Sequence, residues 1–385
     1  MKQNDYFCLL HTFLVAVTIT DGVLINLLSA QINPVLADNV GRFLLYTTTI
    51  ISLVRILNSR QNYKSFVLSG ITILAMYYYQ KNIVTTSSSD LLQDFIVHGI
   101  GGLIIGYSVK DFAKLVKYVG IISLVYCIIL IGEAYNHSLL ALGNMSTGYL
   151  LAPLAIWLLL NYYLGKGRIF LYVAIPQILL ITLFSSRGCG LSIFVAWVIF
   201  ITYRNYYKGN NSGKILRNYC VFGLAAYFLF MISENFIIAN HLVGDDSSFI
   251  GRVIYGGANK SSGRDLIWLE AVRIISENPL TGIGMGMDRD YLGYLSTGGY
   301  VHNLILEVLM NFGIIFGTIV LTLYMIPIIK LLKNSKDIVV VMTIWSLIAM
   351  YIVRLFVSGS YLNSSFELLI LLGVALSNKK TENVK

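Results

Sequence analysis

Three basic side chains stand where the surrounding sequence is otherwise apolar or amphipathic. Arg187 interrupts a long apolar stretch, Arg264 begins an amphipathic segment, and His302 with Asn303 opens a further apolar run. Unpaired backbone N–H groups and the helix dipole favour an anion at a helix start, so Arg264 is placed to bind a phosphate. A histidine titrates near neutral pH and serves as a general base. These residue types predict chemistry on a phosphate-bearing substrate.

Each of these residues also has a structural interpretation. Arg264 could pair with Asp265 or reach towards lipid headgroups, Arg187 could cap a turn facing lipid phosphates, and His302 could serve packing alone. A buried arginine costs on the order of 2.5 to 3.5 kcal/mol on membrane-insertion scales. The positive-inside pattern described below does not call for a charge at Arg187, so we expect that residue to have a function.

The composition indicates which elements must position these residues. The 385 residues are 56% hydrophobic and 12% charged, with a mean hydropathy of +0.72, whereas about a quarter of the residues in soluble proteins are charged. The apolar runs are continuous and too long for barrel strands. We therefore predict an all-α polytopic membrane protein with about twelve transmembrane helices. The runs begin near Phe7, Val40, Tyr63, Leu91, Leu115, Thr147, Ile169, Gly188, Ile215, Val301, Ile338 and Tyr361.

The basic residues predict the orientation. With a cytoplasmic N-terminus, 18 of the 28 lysines and arginines fall in inner loops or termini and eight fall outside, which the positive-inside rule favours. Both termini are then cytoplasmic, and the chain divides into a bundle over 1–233, a large extracytoplasmic loop over 234–300 and helices over 301–385. The first run lacks a cleavage site and is expected to be a retained helix. Scattered basic residues do not indicate nucleic-acid binding despite the net charge of +9.

The large loop contains one amphipathic segment. Ser262 and Asp265 fit a capping box, and Pro279 is expected to end the helix that follows. Gly282, Gly284 and Gly286 then allow a turning backbone, and no preceding strand supports a nucleotide fingerprint. We expect this helix to lie on the membrane surface. Its predicted apolar face holds Ile267, Trp268, Ala271, Ile274 and Ile275, and its polar face holds Glu270, Arg273 and Glu277.

Other charged residues leave alternatives open. Asp288-Arg289-Asp290 is expected to be a self-paired, solvated loop, and no aspartate pattern indicates a metal site. The cysteines lack CxxC spacing and are expected to pack in the core. A set of intramembrane charges could line a polar cleft or an ion path, which would favour a secondary transporter, although no internal repeat is present. This set is Asp21, Asp94, His98, Glu133, Glu307, Arg354 and Glu367.

Taken in order, these features resemble the O-antigen ligase and polymerase superfamily of bacterial surface-polysaccharide assembly. The matching features are Ser-Arg-Gly at 186–188, Gly-Arg at 263–264 with Trp268 downstream, Glu-Asn-Pro-Leu-x-Gly-Ile-Gly at 277–284, and His-Asn at 302–303. Each motif alone is weak, whereas the ordered set is more specific. The resemblance covers 185–317, about a third of the chain, and elsewhere only hydropathy and topology agree.

The resemblance implies a metal-independent, cofactor-free glycosyltransferase of the bacterial plasma membrane. Its donor is a sugar chain on undecaprenyl diphosphate, and a polymerase joins such repeat units into O-antigen or capsular polysaccharide. A ligase would instead use lipid A core or protein as acceptor. Arg187 and Arg264 would bind the diphosphate and His302 would be the general base. We expect Arg289, Asn303, Glu307 and Trp268 to contact substrate; membrane lipids, a flippase and a chain-length regulator are further expected partners.

Overall fold

The computed structural model describes residues 3–31, 33–58, 66–74, 89–136, 145–184, 187–207, 264–295 and 299–377. Within these ranges the chain forms helices and contains no strand. The helices are α1 (Gln3–Gln31), α2 (Pro34–Leu57), α3 (66–74), α4 (Ser89–Ser108), α5 (Phe112–Asn136), α6 (Met145–Tyr163), α7 (Ile169–Phe184), α8 (Arg187–Tyr207), α9 (Arg264–Glu277), α10 (Asp288–Leu292), α11 (Leu304–Asn334), α12 (Ile338–Leu347), α13 (Val353–Val357) and α14 (Ser365–Ser377). A π-helical turn over Ile348–Ile352 joins α12 to α13.

These helices confirm the predicted all-α class in the described ranges. Helices occur at eleven of the predicted apolar runs, and the run near Ile215 lies outside the described residues. Five helices of the described chain are long and apolar enough to span a membrane, and four shorter apolar helices accompany them. The five are Pro34–Leu57, Phe112–Leu130, Gly188–Tyr206, Leu304–Asn334 and Ile338–Phe356. The total of twelve spans and the orientation stay predictions.

The core is built around α6. Every residue from Leu154 to Leu160 is at most 1% exposed, so this helix is apolar on all sides, as a fully buried helix should be. It packs against α1, α5, α7, α8 and α12. Cys127 and Cys189 are buried in the same core, which confirms the packing role predicted for these two, whereas Cys220 lies outside the described residues.

Glycines bring α4 and α14 into direct backbone contact. A Cβ on Gly102 would lie 2.4 Å from the carbonyl oxygen of Phe366, and one on Gly106 would lie 2.2 Å from that of Ile370. Small residues spaced four apart allow this approach between membrane helices. The two helices run parallel, because the pairs follow the same order along both. Their close packing fixes the start of α14 against α4.

The packing of α8 shows which end of the bundle Arg187 occupies. The rings of Tyr203 and Trp345 lie 6.4 Å apart, and α8 also packs against α13. These contacts require α8 to run antiparallel to α12 and α13. Arg187 stands sixteen residues before Tyr203, or about 24 Å along a helix. The backbone of Arg187 therefore lies at the end of the bundle where α13 gives way to the 358–364 segment.

Candidate functional site

The amphipathic helix α9 packs on the first half of α11. Ile267, Ala271, Ile274 and Ile275 are buried, in one cluster with Val301 and Met310 on the α11 side. On the opposite face, Arg273 forms ion pairs with Glu270 and Glu277. The helix and its two faces are thus confirmed, while its position on a membrane surface stays a prediction. Ser262 of the predicted capping box lies outside the described residues.

The segment after α9 docks into a break in α11. Gly313 has φ 75° and ψ 174° inside α11, which interrupts the helical hydrogen bonds. Backbone N–H groups of Ile283 and Gly284 donate to the carbonyls of Met310 and Asn311, each at 3.0 Å. The N–H of Ile314 donates in turn to the Pro279 carbonyl at 2.7 Å. The two segments therefore satisfy the backbone groups that the break releases.

Glycine is required on both sides of this contact. A Cβ on Gly282, which has φ +67°, would lie 2.5 Å from the Asn311 carbonyl carbon. A Cβ on Gly313 would lie 2.5 Å from the Leu280 carbonyl carbon. The predicted end of α9 before Pro279 is confirmed, since the helix ends at Glu277. The glycine-rich stretch is an ordered clamp that holds α9 on α11.

His302 lies between this clamp and the start of α11. It is the one non-glycine residue with positive φ (55°) in the described ranges, and its ring centroid lies 4.1 Å from that of Tyr300. Its Nδ1 is buried without a hydrogen-bond partner. Burial and, secondarily, the charge of Arg264 lower the pKa of His302 from 6.5 to about 4. The imidazole is therefore neutral at neutral pH.

Arg264, Trp268 and His302 come together at one place. Arg264 is the first described residue of α9, and its charge acts on His302. The indole Nε1 of Trp268 donates to the Val301 carbonyl at 3.0 Å. This bond places Trp268 at the edge of the predicted apolar face of α9, where the residue is 37% exposed. Three of the predicted site residues thus surround one short segment, 301–303.

Asn303 is the N-cap of α11. Its side-chain oxygen accepts from the backbone N–H groups of Ile305 and Leu306, at 3.1 and 3.2 Å. Such a cap satisfies orphan donors and fixes where a helix begins. The cap sets the start of α11 at Leu304 and the direction in which His302 leaves it. The Asn303 side-chain carbonyl is therefore occupied by the protein itself.

A buried ionic cluster lies next to this segment. Arg289 bonds both oxygens of Asp288, at 2.5 and 2.7 Å, and Oε1 of Glu307 at 3.1 Å. Ser360 donates to Glu307 Oε1 at 2.5 Å and accepts from Arg289, and the N–H of Tyr361 donates to Glu307 Oε2 at 3.2 Å. One guanidinium thus holds two carboxylates and a hydroxyl from three separate segments.

This cluster corrects one prediction. Asp288 and Arg289 do pair, but the pair is not solvated: the Asp288 and Glu307 side chains are 0% exposed and that of Arg289 is 16% exposed. Burial raises the pKa of Asp288, against the opposing charge of Arg289. Burial would lower the pKa of Arg289, but Asp288 and Glu307 outweigh it and raise that pKa. The interaction that buries the loop is with Glu307, which is distant in sequence.

The cluster also supports Tyr300 and connects to Arg354. The guanidinium of Arg289 lies 5.5 Å from the Tyr300 ring centroid, and that of Arg354 lies 4.4 Å from the ring of Tyr149. Arg354 Nε and the Tyr149 hydroxyl are buried without hydrogen-bond partners. Burial and Glu307 raise the pKa of Tyr300, while Arg354 and Arg289 oppose this. Tyr300 therefore lies within electrostatic range of both Arg289 and Arg354.

Sequence reasoning missed Tyr300, Tyr149 and Ser360. Two signals were present for them: an aromatic residue two positions before His302, and the Ser358-Gly359-Ser360 interruption of an apolar run. The predicted diphosphate ligand Arg187 begins α8 at this end of the bundle, and its side chain lies outside the described residues. The described residues contain no group of three or more His, Cys, Asp or Glu that could hold a metal ion.

No protein-family model matches the sequence, and no curated protein matches it at a significant level. The resemblance stated from the motifs therefore stays a prediction.

Proposed function

We propose that this protein is a membrane glycosyltransferase that joins undecaprenyl-diphosphate-linked repeat units into O-antigen or capsular polysaccharide at the outer face of a bacterial plasma membrane. The observation that carries the proposal is the position of His302, with its unpartnered Nδ1, at the capped start of α11 and within electrostatic range of Arg264. The arrangement supplies a cation for a leaving diphosphate and a base for an attacking hydroxyl. The ordered motifs of the sequence support the same assignment.

Arg264 and the helix starts form the anion side of the site. The N–H groups at the start of α9 and the positive end of its dipole favour a phosphate, and Arg264 adds a fixed charge in the first turn. Arg187 opens α8 at the same end of the bundle as the 358–364 segment. Together the two arginines would neutralise charge that develops on the departing diphosphate, a form of transition-state stabilisation.

His302 is the proposed general base. The acceptor hydroxyl oxygen bonds to the anomeric carbon of the donor sugar, and the bond from that carbon to the diphosphate oxygen breaks. The hydroxyl proton passes to His302 and the electron pair leaves on the lipid diphosphate. An unpartnered buried polar atom costs roughly 1–3 kcal/mol, and the acceptor hydroxyl would supply the partner that His302 Nδ1 lacks.

The other predicted contacts have positioning roles in this proposal. Arg289 and Glu307 are saturated by Asp288, Ser360 and each other, so they hold Tyr300 and the start of α11 in place. Asn303 caps α11. Trp268 retains an exposed face, 37% of its surface, and is the one of the four best placed to lie against a sugar ring.

Reconstitution tests the proposed reaction. Purified protein in liposomes receives lipid-linked repeat units, with a chelator present to test the metal-free prediction. We expect a ladder of longer lipid-linked chains from the wild type and none from His302→Ala or His302→Asn, with normal protein abundance in all three. Asparagine tolerates the positive φ of this position, so that variant separates chemistry from backbone strain.

The same assay decides between the alternatives. Transfer to lipid A core or protein without a ladder would identify a ligase. Ladder formation that does not depend on His302 would remove the proposed base. Absence of any transfer by the wild type, given an authentic donor and both kinds of acceptor, would remove glycosyl transfer and leave a transporter.

Topology is tested independently. A reporter fused after Gly244 should read as extracytoplasmic and one after Lys208 as cytoplasmic, because the basic residues are biased to the inner loops. The reverse readings would place Arg264 and His302 on the wrong side for an outer-face reaction.

A further inference from the structure

A second polar region lies on the other side of the 358–367 segment. It is a cavity of about 370 Å³, within the range of ligand pockets, roughly 300–1,000 Å³. Residues from α1, α2, α4 and the start of α14 line it. They include Asp21, Asp38, Arg42, His98, Phe366 and Glu367, with Asn363 from the segment before α14.

Two carboxylates dominate the charge of this cavity. Asp38 and Arg42 neutralise each other in an ion pair at 3.0 Å, which leaves Asp21 and Glu367, both half-buried. The charge of Glu367 reaches Asp21, and His98, which also lines the cavity, lies within electrostatic range of Glu367. Arg354, which also acts electrostatically on Tyr300, lies within range of Glu367. The cavity wall therefore combines carboxyl groups, the amide of Asn363, the imidazole of His98 and the phenyl ring of Phe366.

These groups fit a hydroxyl-rich ligand better than an ion. The volume would hold about a dozen water molecules at roughly 30 Å³ each, far more space than one cation occupies. No trio of metal-ligating side chains occurs in the described part of the chain. Sugar hydroxyls both donate and accept, so they can use carboxylate, amide and guanidinium groups at once. The two acidic side chains would repel a sugar that carries its own negative charge.

The cavity is coupled to the candidate site by one short segment. Ser360 and Tyr361 bind Glu307 of the ionic cluster, and Leu362 to Glu367 line the cavity. Seven residues separate Ser360 from Glu367, which limits the distance between their backbones to about 25 Å. The same short segment therefore contributes to both regions.

We propose that this cavity binds uncharged or amino-bearing sugars of the acceptor glycan and disfavours sugars that carry carboxylate or phosphate groups. The proposal names a substrate subsite and therefore rests on the proposed glycosyl transfer. Asp21 and Glu367 accept hydrogen bonds from sugar hydroxyls, and Phe366 offers a ring against which a sugar can lie. The wall thus selects acceptors by charge before they reach His302.

The test measures binding without turnover. The probe is the free repeat-unit oligosaccharide, released from its lipid by mild acid, and its matched derivative has primary hydroxyls oxidised to carboxylates. Binding of both to full-length protein in lipid nanodiscs is followed by saturation-transfer NMR. We expect the oxidised probe to bind at least about tenfold more weakly than the parent, as expected for one lost charge-assisted hydrogen bond plus repulsion. Glu367→Gln should weaken the parent probe about tenfold and shrink the difference between the two probes.

Control variants separate this proposal from the proposed function. His302→Gly should keep the wild-type ratio between the affinities of the two probes, because the cavity wall is intact. Asp111→Asn, whose carboxylate pairs with Lys114 at the far end of α4 and outside the cavity, should change neither affinity. Asn363→Ala is a second variant of the wall, at an exposed position that can be changed without disturbing the core. It should also weaken binding of the parent probe, so the test does not depend on Glu367→Gln folding normally. If the wild type binds the parent probe more tightly than the oxidised probe but forms no polymer, the polymerase proposal is refuted and the assignment of the cavity as a sugar-binding site stands.

Three results would overturn the cavity assignment. The first is polymerisation by wild type with no detectable binding of the released repeat unit. The second is equal binding of parent and oxidised probes, or binding that neither Glu367→Gln nor Asn363→Ala weakens. The third is a proton or sodium flux through reconstituted vesicles that Glu367→Gln abolishes, which would assign these carboxylates to ion transport.

Discussion

The depressed pKa of His302 predicts a specific dependence on pH. Burial and the charge of Arg264 lower that pKa from 6.5 to about 4. At about 1.4 kcal/mol per pKa unit, the preference for the neutral imidazole is at most about 3 kcal/mol, and less in practice because water reaches this half-buried ring. At pH 7 the protonated fraction falls from about a quarter to about one in a thousand.

The sign of the stability effect follows from proton binding. Below pH 6.5 the unfolded chain protonates this histidine while the folded protein does not, so folding becomes less favourable as the pH falls from 6.5 towards 4. Above pH 6.5 the contribution of His302 is constant. His302→Asn lacks this titration. Thermal unfolding in nanodiscs between pH 4 and 8 should therefore show the wild type losing about 1–3 kcal/mol more than the variant. Parallel curves for the two proteins would refute the reasoning.

The pH dependence of activity should report the titration of His302 both in the free enzyme and in the enzyme–substrate complex. The acid limb of kcat/KM reports the free enzyme and should fall near pH 4. A bound diphosphate would offset the charge of Arg264 and bring negative charge close to the ring, which raises the pKa of His302. The acid limb of kcat should therefore lie at higher pH than that of kcat/KM. Identical limbs, or limbs that are unchanged in His302→Asn, would show that this histidine is not the titrating base.

Two further variants test the arginine and the glycine clamp. Arg264→Lys keeps the charge but loses bidentate hydrogen-bond donation, so glycosyl transfer should fall roughly tenfold or more, and Arg264→Ala should lower it further. The control is Arg273→Lys, on the exposed polar face of α9, which should match the wild type in the ladder assay. A left-handed alanine costs roughly 1–2 kcal/mol, and Gly282→Ala should destabilise the protein by more than this, because its Cβ meets the Asn311 backbone. The control is Gly165→Ala, at φ +78°, whose Cβ meets open space. In thermal unfolding this control should show only the conformational cost.

Local sequence patterns predicted the elements that depend on neighbouring residues. The spacing of Ile267, Ala271, Ile274 and Ile275 predicted the buried face of α9, because helical period alone decides which side chains share a face. Pro279 marked its end for an equally local reason. Asn303 before an apolar run also fits an N-cap, and that signal accounts for the residue better than the substrate contact expected of it.

Long-range pairing explains what the sequence did not predict. Asp288 and Arg289 read as a solvated pair because their deciding partners, Glu307 and Ser360, lie eighteen and seventy-one residues from Arg289. The break at Gly313 was invisible for the same reason, since it is compensated by backbone groups of 279–284. The apolar run begins near Tyr361, whose N–H donates to Glu307, whereas α14 begins at Ser365. A hydropathy pattern does not predict such contacts between residues distant in sequence.

Chemical rescue tests the central claim most directly. Glycine accepts the positive φ of position 302, so His302→Gly removes the imidazole and leaves the backbone relaxed. Reconstituted His302→Gly should form no ladder from lipid-linked repeat units, and added imidazole should restore chain extension in proportion to its neutral form. A His302→Gly protein that extends chains at the wild-type rate without imidazole would contradict the assignment of His302 as the base.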